Sequence, residues 1–126
     1  MSVTAKPLII MISGPYRSGT GDDPAKIAAN LHALEQAALG VYRAGHLPII
    51  GEWFALPLSQ AAGSTRVGDP IFVEFQYPVA HRLLERCDAV LRIPGQSNGA
   101  DKDVQIARER GLQVFIRLED IPAARP

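Results

Sequence analysis

The sequence lacks a second cysteine, a net charge and any long apolar run. Cys87 stands alone, which excludes an internal disulfide and fits a reducing compartment. Thirteen Lys and Arg are balanced by 13 Asp and Glu, so no broad field draws the chain to a nucleic acid polymer or a membrane surface. Any recognition of an anion must then be local. No stretch approaches the roughly 20 apolar residues of a spanning helix. The opening "PLIIMI" has neither the basic start nor the length of a signal segment, and a cytoplasmic location is the expectation. His32, His46 and Cys87 show no ligand-like spacing, so neither a metal site nor a cofactor is expected. Against these absences stand 126 residues that are 47% hydrophobic, suited to one domain spanning 1–126 with its own core.

Four apolar runs punctuate the chain. "LIIMIS" (8–13) is continuous rather than alternating, as in a strand buried on both faces of a parallel sheet. "LPII" (47–50), "AVLRI" (89–93) and "LQVFIRL" (112–118) read as further strands. Between the first two lies a helix opened by Asp23 and Pro24, with Ile27, Leu31, Leu34, Ala38 and Val41 on one stripe and Gly45 at its end. "GEWFALPLSQAAGSTRVGDP" has no steady period and reads as a long loop whose first part has room for a short helical turn. An Asp-Pro start at 69–70 opens another helix, with a break or kink expected at Pro78. A last helix is expected over about 101–110, closed by Gly111, and "PAARP" reads as a frayed tail. Strands alternating with helices predict an α/β fold, a Rossmann-like three-layer sandwich with a small parallel sheet flanked by helices.

In such sheets ligands gather beyond the carboxyl ends of the strands. Three junctions leave those ends: "SGPYRSGTG", "GEWFALPL" and "PGQSNGADKD". The first is neither a dinucleotide fingerprint nor a nucleotide P-loop. Gly14 and Gly19 let backbone approach a ligand, Ser18 and Thr20 add hydroxyls, and Arg17 offers a planar fork for phosphate. A plain glycine turn with a solvated arginine satisfies the same residues. In the third junction Ser97, Asn98 and Gly99 precede a helix, where free N–H groups favour an anion; simple N-capping by Ser97 or Asn98 is the alternative.

"ISGPYRSG", "RCDAVLRIPG" and "SNGADKDVQIARERGLQVF", in that order, resemble the nucleoside 2-deoxyribosyltransferase-like superfamily. They are also similar to a small branch of it that often reads S-G-P and later L-P-G-x-x-x-S-x-G-A, and to deoxynucleoside 5′-monophosphate N-glycosidases. The resemblance covers nearly the whole chain. It implies a Rossmann-like fold, a nucleotide or nucleoside as small-molecule partner, cleavage or transfer of an N-glycosidic bond, and a homo-oligomer. By the same resemblance Gly14, Arg17, Ser18, Gly19 and Ser97 hold phosphate, and Asn98 and Gly99 fall in the matching loop. The family's nucleophilic glutamate falls on Asp103, a carboxylate whose oxygens sit about 1–1.5 Å further back on the same backbone.

The resemblance also implies an aspartate eight residues before Asp88, where this chain has Ala80. The proton donor is therefore unassigned: His81, Asp69 and Glu74 are candidates. Tyr16 is a candidate to position the nucleophile, and Trp53 to face the base, with Phe54 better suited to the core. Glu52 and Arg66 are polar groups near the same junctions whose spacing assigns them nothing, Cys87 reads as inert packing, and Asp101 shares the helical turn but faces elsewhere. Two functions follow as expectations: an enzyme acting through Asp103, or a catalytically inactive nucleotide-binding or regulatory domain that keeps the cradle without the acid pair.

Overall fold

The computed structural model of the protein describes residues 3, 4 and 6–124. Four parallel strands form its sheet: β2 (Ile9–Ser13), β3 (Leu47–Ile49), β4 (Ala89–Arg92) and β5 (Gln113–Phe115), in the spatial order β3-β2-β4-β5. A separate parallel pair joins β1 (Val3–Thr4) to β6 (Ala123–Ala124). In the central register Met11 lies beside Ile49 on one side and Val90 on the other. The helices are α1 (Pro24–Arg43), α2 (Glu52–Ala61), α3 (Pro70–Leu84) and α4 (Asn98–Glu109).

This is a small α/β Rossmann-like sandwich, and the two sheet faces explain its three layers. Ile10, Ile12, Ala89 and Leu91 point to the face covered by Leu34, Ala38 and Val41 of α1. Met11 and Val90 alternate to the opposite face, where they meet Leu84 of α3 and Ala107 of α4. A strand packed on both sides must be apolar without interruption, which is why "IIMI" shows no alternation. The chain leaves β2 toward β3 and crosses back to β4, so the carboxyl ends of β2 and β4 flank the point where the winding reverses.

The expected starts of α1 and α3 hold: Asp23 caps Ala25 N and Asp69 caps Phe72 N, each followed by proline. Gly45 and Gly111 follow α1 and α4 with φ of 99° and 75°, the left-handed closure the sequence suggests. Five expectations are corrected. The long loop after β3 contains a ten-residue helix, α2. Helix α3 runs unbroken through Pro78, so the expected break is absent. Pro57 of α2 and Pro78 of α3 both lie on exposed faces, and the residues four back, Trp53 and Glu74, are exposed too, which leaves the carbonyls that lose an amide partner on the solvent side. Helix α4 begins at Asn98 because Ser97 caps it, three residues earlier than the acidic run suggests. The last strand stops at Phe115, since β5 is an edge strand and Ile116 is already 62% exposed. Within "PAARP", Ala123 and Ala124 pair with β1 rather than fray, and the final two residues lie outside the described ones.

His46 secures that closing segment. Its Nδ1 accepts from the Leu8 amide at 2.9 Å and its Nε2 lies 2.6 Å from the Pro122 carbonyl, so the proton sits on Nε2. The side chain is buried and belongs to the scaffold.

Candidate functional site

A cavity of about 350 Å³ opens beyond the carboxyl ends of β2 and β4. The β2–α1 loop contributes Gly14, Tyr16, Arg17, Ser18 and Asp22; the start of α4 contributes Ser97, Asn98, Gly99 and Asp103. These two junctions come together because their strands are neighbours in the sheet. The β3–α2 junction adds Gly51 and Glu52, and α3 adds Gln76, Tyr77 and Ala80. All three junctions singled out in the sequence thus reach one cavity.

Asp103 sits in the second turn of α4 and accepts a hydrogen bond from Ser13 Oγ at 3.2 Å. Burial pushes its carboxyl up to about 6, against the opposing pull of the Ser13 hydroxyl and the Arg92 charge. Glu52 is the first residue of α2. Desolvation raises it to about 7, its own backbone amide pulls the other way, and the Asp103 charge adds to the rise. Two carboxyl groups that feel one another therefore share the cavity, both titrating near neutrality. Tyr16 is 5% exposed and rests on Phe72, with ring centroids 6.3 Å apart. Burial first and the Glu52 charge second push its phenol up to about 12.

Arg17 lines the cavity, but its fork is turned to Asp22, with Nε to Oδ1 at 3.1 Å and Nη2 to Oδ2 at 3.3 Å. That ion pair holds the Asp22 carboxyl below its usual range. The guanidinium lies flat against Gly68: a Cβ there would stand 2.7 Å from Nη2, and φ is 91°, so only glycine seats Arg17 this way. Thr20 hydrogen-bonds the Arg17 carbonyl and Asn30 Nδ2 the Tyr16 carbonyl, which fixes the loop on α1. Gly14 serves packing, because its missing Cβ makes room for Ile93. Ser97 Oγ accepts from Ala100 N at 3.1 Å, a cap that leaves its hydroxyl hydrogen free to donate.

Two site candidates lie elsewhere. Gly19 stands exposed on the turn, outside the cavity wall. Trp53 faces outward and donates Nε1–H to Glu35 Oε2 at 2.9 Å. Of the acids considered for proton donation, Asp69 is consumed by structure: it accepts from Phe72 N, Ser64 Oγ, Thr65 N and Arg66 N, and those bonds hold it down at about 2. Glu74 is exposed on α3. His81 lies outside the wall beside Tyr77, its Nε2 buried with no partner among the described residues. Asp101 pairs with Arg92 at 2.9 Å, away from the cavity. Arg66 lines a neighbouring cleft that shares Tyr16 and Asp22 with the cavity.

No protein-family model matches this chain, and no curated protein is similar enough to match it. The site stands on its geometry.

Ser13 and the placement of Glu52 were missed in the sequence. Ser13 had a signal, as the last residue of the first strand pointing at the ligand edge. Glu52 had one too, as an acid directly after a strand end, hidden by the mixed composition around it. Among the described residues no group of three or more His, Cys, Asp or Glu is placed to hold a metal ion, and no helix is long and apolar enough to cross a membrane.

Proposed function

We propose that this domain binds a nucleotide or a related phosphorylated N-glycoside and cleaves or transfers its N-glycosidic bond, with the Asp103 carboxylate attacking the anomeric carbon. The observation that carries this reading is Asp103 itself, half-buried at the wall of the strand-end cavity and hydrogen-bonded by Ser13. A carboxylate titrating near 6 is ionised at neutral pH and, being poorly solvated, is a stronger nucleophile than one in water. On the same cavity wall Arg17, Ser18 and the capped start of α4 supply donors for a phosphate. Tyr16, immobilised on Phe72, offers a hydroxyl and a ring edge to the sugar.

Two observations favour a second reading, a binding domain without turnover. Ala80 presents only a methyl to the cavity, and the fork of Arg17 is already engaged. The readings part in one experiment: incubation with deoxynucleosides and their 5′-monophosphates, with chromatography for free base. Release that Asp103→Ala abolishes and Asp101→Ala largely retains supports the enzyme. Heat of binding with no free base, and no gain from Asp103→Glu, supports the binder. A homo-oligomer belongs to the same proposal, supported by Trp53, Phe54 and Leu58 of α2 and Val73 and Tyr77 of α3, all substantially exposed.

A further inference from the structure

We propose that Glu52 is a second catalytic residue of this cavity, the acid that protonates the departing base and then, as a carboxylate, deprotonates the water that frees the sugar. The inference rests on the N-glycoside reading above and supplies the proton donor that reading leaves open. Three carboxylates line the cavity: Asp22, Glu52 and Asp103. Asp22 is committed to Arg17 and Asp103 is held by Ser13. Glu52 makes no side-chain hydrogen bond to another of the described residues, so its carboxyl is the one left uncommitted for a leaving group and a water. Helix α3 brings Gln76, Tyr77 and Ala80 to the wall and no carboxyl group. The backbone carrying Glu52 lies directly against that gap, since a Cβ at Gly51 would stand 3.8 Å from the Ala80 methyl.

The two roles demand opposite protonation states at one pH, and the surroundings separate them. Sharing the cavity wall with Glu52 are Asp103 from α4, Tyr16 and the Arg17–Asp22 pair from the β2–α1 loop, and Tyr77 from α3. Asp103 carries the Ser13 hydrogen bond and the attraction of Arg92, which favour its ionised form. Glu52 feels Asp103 as a like charge and has no cation among the contributors to its shift, so it keeps its proton longer.

The chemistry balances. An Asp103 oxygen bonds to the anomeric carbon as the carbon–nitrogen bond breaks, the bonding pair leaves with the base, and the base takes the Glu52 proton. Water then attacks the same carbon, Glu52 takes one water proton, and the carbon–oxygen bond to Asp103 breaks to regenerate the free carboxylate. The products are free base and sugar, with one water consumed.

The test compares two substrates and three proteins. One substrate is 2′-deoxyadenosine 5′-monophosphate, whose base leaves poorly without a proton; the other is a nitrophenyl 2-deoxyriboside 5-phosphate, whose nitrophenolate needs none. Glu52→Gln is expected to slow adenine release by about 10²–10³-fold while keeping the first-turnover nitrophenol burst within about tenfold. Steady turnover of the aryl substrate should also fall, and azide, which attacks without losing a proton, should restore it. The basic limb of the pH profile should disappear in Glu52→Gln and persist at lower rate in Glu52→Asp. Asp103→Asn should abolish both reactions. Equal loss of adenine release and of the first-turnover nitrophenol burst, no loss on either substrate, or an unchanged basic limb would overturn the role of Glu52 while leaving Asp103 intact. Absence of product from the wild-type protein on both substrates would instead remove the N-glycoside reading, and the role with it.

Discussion

Ser13 donates to Asp103 across 3.2 Å, joining the last residue of β2 to a helix that begins 85 residues later (13 to 98). The bond ties the central strand to the carboxylate and favours its ionised form. Ser13→Ala should therefore raise the Asp103 pKa further and move the acidic limb of the rate profile to higher pH. At pH 6 we expect about a tenfold loss in kcat/KM, the size of one hydrogen bond to a charged group. Carbon-13 NMR titration of the carboxyl groups, paired with the rate profile, checks both parts.

Stability should respond to pH in the direction set by the same carboxyl groups. Glu52 rises from 4.5 to about 7 and Asp103 from 3.8 to about 6, so the folded protein holds protons that the unfolded chain has released. Their contribution is complete below about pH 4 and is lost as pH climbs through about 6–7. Asp69, held down at about 2, acts oppositely: its contribution is present above 3.8 and vanishes as pH falls through 2. Glu52→Gln should accordingly unfold at a higher temperature than wild type at pH 8, by up to ~3 kcal/mol of stability, and match it near pH 4. Thermal melts across that range decide the matter.

Arg17 is paired with the exposed Asp22 through Nε and Nη2, so a phosphate competes with that carboxylate for the fork. Asp22→Asn removes the competitor's charge and should tighten nucleoside 5′-monophosphate binding by about 3–10-fold. Arg17→Gln should erase the preference for monophosphate over nucleoside. Titration calorimetry with matched pairs of ligands measures both.

His46 lies outside the cavity wall, and its loss should be felt in the scaffold alone. His46→Ala leaves the Leu8 amide and the Pro122 carbonyl without their partner in a buried setting. A destabilisation of about 2–4 kcal/mol is expected, with ligand affinity per folded molecule unchanged. Urea unfolding and calorimetry on the same preparation separate the two quantities.

The sheet was legible because a strand covered on both faces cannot hide its composition, as Ile9–Ile12 shows. The helix starts were legible because Asp-Pro has a local reason to open a helix. Helix α2 was not, because Pro57 contradicts helix locally, and the exposure of Trp53 that makes the lost bond tolerable is a tertiary fact. The cavity's location followed from strand order, which is why Arg17, Ser97 and Asp103 meet. Its partnerships did not follow. Nothing in the spacing of residues 13, 52 and 103 says that they converge, because loop and helix lengths alone decide what reaches a strand end.

The apolar interior is divided into three clusters, and the smallest, built on Tyr16, Ile27 and Phe72, includes no strand residue and reaches the cavity through Tyr16; it forms a roof of its own beside the sheet. A roof with its own miniature core can come undone while the sheet stays folded. Amides of α2 should then exchange with deuterium through a low-energy local opening, well before those of β2 and β4. Because Tyr16 serves both that small core and the cavity wall, an occupied cavity would slow exchange along α2 beyond the residues, Glu52 and Ala55, that line it.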